Sequence, residues 1–311
     1  MHPSALLLIV AAAVGAAMVH GHPADSTPAA LFWSQALPGI PMPGAIADLI
    51  QKGIDHSPLV EHYSASPSIS VCTFANTICP KSMVAETGIF FHEEQLRPGS
   101  TMTVSLPAEA EAAILPHDVA EKVPFWNLED VLATFGIPAG SAEADQVRDT
   151  LRRCQAPPHA GEQRSCTTSL ESTVQSAMRM LGASTPNGGG MWAGTSVLPS
   201  GGLPRQTYVV EAAARLVGKR YVACHLASFP YAVYQCHMPK EGYLAYALSL
   251  RGLREGQKAT MLAYCHLDTS DWNPAHPAFE ILQTHPGGSR VCHLIPHGNL
   301  VFIQKTADKA S

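Results

Sequence analysis

The alternation of apolar and polar residues changes character several times along this 311-residue chain. Residues 5–19 are an unbroken apolar run, too short to span a bilayer as a helix. Residues 22–86 are rich in Pro and Ser, and only 45–53 reads as a short helix there; the remainder is expected to be extended or mobile. Residues 89–104 predict two strands around a turn at Arg97-Pro98-Gly99. Helical periodicity follows. Pro116 starts a helix with Val119 and Val123 on its face, and Asn127 caps 128–135, which ends at Gly136. Ser141 caps 142–153, with Glu143 and Asp145 in the first turn and Arg152 and Arg153 in the last. Thr168 is read as the cap of 169–181, with Glu171 closing a capping box and Gly182 ending the helix.

Residues 185–204 read as a structureless Gly/Pro/Ser loop carrying Met191 and Trp192. Beyond it the period becomes two. Strands are predicted at 206–210, 220–226, 232–238, 242–250 and 259–267, a helix at 274–283, and closing strands at 291–293 and 300–303. The 242–250 strand is apolar on both faces and therefore central. The pattern predicts an α+β fold, a helical first part followed by a mainly antiparallel β-rich part.

Composition narrows the class. Hydrophobic residues make up 46% of the chain and charged residues 14%, enough apolar material for a core. A net charge of −5 without a basic run excludes a nucleic-acid partner. Fifteen histidines make the charge responsive to mild acid. The 5–19 run, followed by Val19 and Gly21, reads as a signal peptide over 1–21, so the mature protein is expected to be exported, with no stable membrane anchor. No Asn-x-Ser/Thr sequon occurs, so N-glycosylation is not expected.

Eight cysteines in an exported chain imply disulfides, and eight allow 105 pairings. Cys72 with Cys79 and Cys154 with Cys166 are the expected local pairs, leaving Cys224, Cys236, Cys265 and Cys292 for two further bridges of open connectivity. Each of those four is followed by histidine: Cys224-His225, Cys236-His237, Cys265-His266 and Cys292-His293, separated by ten, twenty-seven and twenty-five residues. Aromatic and branched neighbours place every pair on a strand. Successive strand side chains point to opposite faces, so the thiols meet on one face while the imidazoles converge on another.

The spacing of these dipeptides resembles that of the plant BURP domain. So do Phe90-Phe91 followed by Leu96-Arg-Pro-Gly99, Cys166-Thr-Thr-Ser-Leu-Glu171, and the segment from Asp268 through Trp272 and His276 to Phe279. The segment from Leu31 to Pro43 resembles the text that follows the signal in many such proteins. The domain is assigned to 87–304, with a lead-in at 22–86 and a tail at 305–311. The resemblance implies a stapled set of disulfides and a copper site held by histidine, with His225, His237, His266 and His293 as ligands and His276 as a further one. Copper also follows from the donors, because oxidised cysteines leave only imidazoles, which suit copper(II). Near the C-terminus the chain departs from the family text: Asn299 stands at the family's histidine position and His297 lies two residues before it, on the same face if the segment is a strand.

Two functions are implied. One is a non-enzymatic secreted protein of the apoplast and cell wall, or of a vacuolar storage compartment, acting in development or stress with wall polysaccharide or wall enzymes as partners. The other is a copper-dependent peptide cyclase that crosslinks side chains of its own chain with dioxygen. The lead-in carries no internal repeat, which favours the first, and Trp33, Tyr63 and Trp192 are the residues a cyclase could act on.

Overall fold

The computed structural model describes residues 26–55, 81–107, 112–182, 190–199, 201–240 and 242–305. The expected signal segment, Tyr63, Cys72 and Cys79 lie outside the described residues. Among the described residues no helix is long and apolar enough to cross a membrane.

Two antiparallel sheets form the body. The strands are β1 (Phe90–Phe91), β2 (Thr101–Leu106), β3 (Gln163–Thr167), β4 (Met191–Gly194), β5 (Leu203–Leu216), β6 (Arg220–Ala227), β7 (Val233–Met238), β8 (Tyr243–Gly252), β9 (Lys258–His266), β10 (Val291–Leu294) and β11 (Leu300–Gln304). A six-stranded sheet runs β1-β10-β9-β8-β5-β2 and a five-stranded sheet runs β3-β7-β6-β11-β4. The expected central strand, β8, lies between β9 and β5. The helices are α1 (Pro28–Ala36), α2 (Gly44–Asp55), α3 (Lys81–Thr87), α4 (His117–Ala120), α5 (Leu128–Thr134), α6 (Ala142–Gln155), α7 (Leu170–Leu181) and α8 (Pro277–Ile281). The α+β class and the β-rich C-terminal part are as the period change predicts.

The strand alternation sorts residues into layers. Tyr221, Ala223, Val301 and Ile303 of the five-stranded sheet pack against Tyr243, Ala245, Leu262 and Tyr264 of the six-stranded one. This apolar layer joins the sheets face to face. On its outer face the five-stranded sheet presents Val222, Cys224, Tyr234, Cys236 and Phe302 to α1, α2 and α7. The other sheet presents Met261, Ala263, Cys265 and Cys292 to a second outer cluster containing Val84, Ala278 and Phe279. A third cluster gathers α5, α6 and the β6–β7 connection around Phe125, Phe135, Phe229 and Tyr231.

Several expectations change on contact with this packing. The lead-in contributes two core helices. Thr27 caps α1 by accepting from the Ala30 N–H, and Pro28 occupies the first turn. Trp33 and Ile46 are buried in the core on the five-stranded sheet, which outweighs the loop-like composition around them. Gly53 allows α2 to approach residues 112–115 so closely that a Cβ there would fall 1.9 Å from the Ile114 carbonyl oxygen. The cap of α7 is Ser169, not Thr168, and Ser172 closes the capping box. β3 holds the chain extended through Thr167, and Glu171 is buried instead of reaching back. The supposed loop at 185–204 contains β4, paired with β11, and an isolated bridge from Val197 to Thr260. Gly and Pro punctuation conceals a strand too short to show its period. The helix expected at 274–283 is only the five-residue α8, and that after Pro116 is the single turn α4.

Candidate metal centre

Each Cys-His dipeptide lies within a strand, where the alternation separates its two side chains. In the β6–β7 pair, Cys224 and Cys236 are direct cross-strand partners, and in the β9–β10 pair Cys265 and Cys292 are. Both pairs are disulfides, as is Cys154–Cys166, which ties the end of α6 to β3. No described cysteine is free. The two cross-strand bridges lie on opposite outer faces of the sandwich, one under α7 and one under α8. Their histidines consequently point inward, two from each sheet.

The four rings form a closed circuit. Ring centroids are 5.4 Å apart for His225 and His237, 6.4 Å for His237 and His266, 5.5 Å for His266 and His293, and 5.7 Å for His293 and His225. His276 stands to one side. Its ring is 4.6 Å from Trp272 and 5.6 Å from Phe90, and Trp272 in turn is 4.6 Å from His266. All five line one cavity of about 290 Å³, whose outer wall includes Arg164, Lys240, Asp268 and Asp271.

Hydrogen bonds hold the rings. His225 Nδ1 is 3.1 Å from Asn299 Oδ1, which also accepts from the Leu226 N–H at 3.1 Å. His293 Nδ1 is 3.0 Å from the carbonyl oxygen of Leu294. His237 Nδ1 is 3.1 Å from Glu162 Oε1, and the Tyr243 hydroxyl is 3.0 Å from its Nε2. His276 Nδ1 accepts from the Ala278 N–H at 3.2 Å, capping α8. Glu162, Tyr243 and Asn299 are thus the residues that inspection of the dipeptides did not reveal as supports. The glutamate comes from the polar connection before β3, and the only sequence signal for Asn299 was its place at the family's histidine position. His297 does not join the cluster. It lies in the 296–299 turn before β11 begins, where side chains do not alternate as on a strand.

Burial governs the electrostatics. Desolvation, reinforced by the neighbouring imidazoles, pushes His225 and His266 well below the ordinary histidine range. It also takes His276 and His293 down to about 4. For Glu162 burial pushes upward, but the hydrogen bond and charge of His237, with smaller help from the His159 N–H and Arg164, hold the carboxyl below its usual value. Burial, with Tyr264 and Glu162 nearby, pushes the Tyr243 hydroxyl well up. His225, His266, His276 and His293 are therefore held neutral, the form in which imidazole binds metals.

In metal-free protein this has a thermodynamic consequence. Between pH 6.5 and about 4 the unfolded chain takes up protons on histidines that the folded chain leaves bare. Stability is therefore full above pH 6.5 and is lost as pH falls through that window, by on the order of 3 kcal/mol each for His276 and His293. Urea midpoints of chelator-treated protein at pH 7 and pH 4.5 measure this; equal midpoints would contradict neutral, buried rings.

The donor chemistry fits a copper or zinc ion: imidazoles without thiolates. The atoms are not drawn up as a chelate, because nitrogens sharing one ion must lie roughly 3 Å apart. Among the described residues no three His, Cys, Asp or Glu side chains are so placed.

These features define a class: a disulfide-stapled pair of antiparallel sheets whose Cys-His dipeptides divide bridge from imidazole. The family model described as the BURP domain matches residues 89–304, and the chain belongs to this plant protein family. BURP domain-containing protein 13 of Oryza sativa subsp. japonica is 40% identical over 256 residues, 80% of this chain and 61% of that protein. Protein RAFTIN 1A of Triticum aestivum is 40% identical over 249 residues, 78% of this chain and 62% of that protein. BURP domain-containing protein 6 of Oryza sativa subsp. japonica is 37% identical over 268 residues, 85% of this chain and 100% of that protein. The chain thus spans about three fifths of the length of the first two.

Proposed function

We propose that this is an exported plant protein of the apoplast and cell wall, or of a vacuolar storage compartment, that binds copper at His225, His237, His266 and His293 and works without catalysis, in development or stress response. Wall polysaccharide or wall enzymes are its proposed partners. The observation that carries the copper reading is the meeting of four imidazoles from two sheets while their neighbouring cysteines are consumed in disulfides. Three disulfides in the described residues support an oxidising compartment.

The second reading, a copper-dependent cyclase acting on its own chain, draws support from the open cavity beside the rings. Two of the residues it could act on are held in the fold. Trp33 is 1% exposed and donates its indole N–H to the Ile40 carbonyl oxygen at 2.9 Å. Trp192 is held in β4 opposite Ile303. These placements favour the non-catalytic reading.

One preparation tests both. Oxidised full-length protein, loaded with copper(II) and dialysed, is expected to retain copper and to show no loss of two hydrogens from any Trp or Tyr peptide after exposure to air. Retention of no copper refutes the metal site, and a two-hydrogen loss mapped to such a peptide refutes the non-catalytic reading.

A further inference from the structure

Three of the histidines lining the cavity, His225, His276 and His293, differ in which nitrogen carries the proton, and their hydrogen-bond partners decide it. A carbonyl oxygen only accepts, so His293 Nδ1, 3.0 Å from the Leu294 oxygen, must be the N–H. At His225 the partner is an amide whose orientation is set from both sides. The Leu226 N–H donates to Asn299 Oδ1, while Asn299 Nδ2 donates to the His297 oxygen at 3.3 Å. Oδ1 therefore faces His225, and His225 Nδ1 is the donor. In both neutral rings Nε2 is the bare nitrogen.

His276 is the reverse case. A backbone N–H only donates, so the Ala278 N–H requires a lone pair on His276 Nδ1. The neutral ring must then carry its proton on Nε2. A nitrogen bearing a proton cannot coordinate, and the other nitrogen is occupied by the cap.

Resting on the proposed copper site, we infer that these bonds sort the cavity histidines into two roles. His225 and His293 present bare Nε2 atoms to the metal, with Asn299 as the positioning residue for His225. His276 is not a ligand; its Nε2–H is left as a hydrogen-bond donor. Asn299, standing where the family has a histidine, acts here through His225 and does not itself supply a ligand nitrogen.

The tautomers are read directly in metal-free, disulfide-intact protein labelled with ¹⁵N-histidine, by two-bond nitrogen–proton correlation. The expected pattern is Nδ1–H at His225 and His293 and Nε2–H at His276; Nδ1–H at His276 overturns the assignment whether or not copper binds. Copper(II) competition titrations follow with variants chosen to fold. His276→Asn keeps an oxygen to accept from the Ala278 N–H and is expected to hold copper within about twofold of the parent. His225→Ala, His293→Ala and Asn299→Leu are each expected to weaken it about tenfold or more. Asn299→Asp, which retains the acceptor, preserves the His225 tautomer and the affinity. A loss in His276→Asn equal to that in His225→Ala sinks the division of roles. Failure of the parent to bind copper would refute the metal site alone and leave the tautomer test decisive.

Discussion

Replacing Cys265 and Cys292 together by alanine is expected to lower stability by about 3–4 kcal/mol and to abolish copper retention. The bridge closes a span of 27 residues, and its loss frees a comparable loop in the unfolded chain. Both cysteines are fully buried in the cluster that contains Phe91, Val84 and Phe279, so truncation also leaves a void. The second effect is geometric. His266 and His293 are the residues next to the two sulfurs, and the β9–β10 register sets the distance between their rings. Urea unfolding without reductant measures the first effect and metal analysis of the folded fraction the second. A variant as stable as the parent that still holds copper would separate the staple from the site and contradict the arrangement.

The substitution Trp33→Ala is expected to cost about 3–5 kcal/mol. The indole is almost fully enclosed among α2, α7 and the five-stranded sheet, and its N–H satisfies the Ile40 carbonyl where the chain turns toward α2. Alanine leaves a large cavity and exposes that carbonyl's partnership to water. The readout is the urea midpoint of the full chain under oxidising conditions. A loss below about 1 kcal/mol would mean that the lead-in helices are accessory to the domain and not part of its core.

The lead-in shows why part of this fold escaped a linear reading. Caps at Asn127, Ser141 and Gly182 were visible because the residue that stops or starts each helix is adjacent to it. Residues 28–36 carry a comparable signal at Thr27 and Pro28, but the Pro-rich surroundings outweighed it. β4 escaped for a different reason. Four residues, Met191 to Gly194, show too little alternation to stand out from Gly-rich flanks, and the strand exists because β11 offers an edge to pair with. The local cap of α7 was misplaced by one residue because β3, formed with β7, holds the backbone extended through Thr167.

The candidate site divides in the same manner. The two-residue period of a strand compels each cysteine and its following histidine to opposite faces, so the separation of thiol from imidazole was written in neighbouring residues. Spacing likewise declared the family, and the change of hydrophobic period the α+β class. Which sulfur meets which was not written there, because a bridge needs two strands in register, as Cys265 and Cys292 are across β9 and β10. Nor was the meeting of rings from two sheets, which depends on the apolar layer that stacks Tyr243 on Tyr264 and seats Tyr264 against Tyr221. Asn299 stands 74 residues from His225, and Glu162 stands 75 from His237. Contacts over such separations arise from register and sheet packing, quantities that no stretch of consecutive residues carries, whereas alternation and capping act within a few residues and are therefore legible in the chain itself.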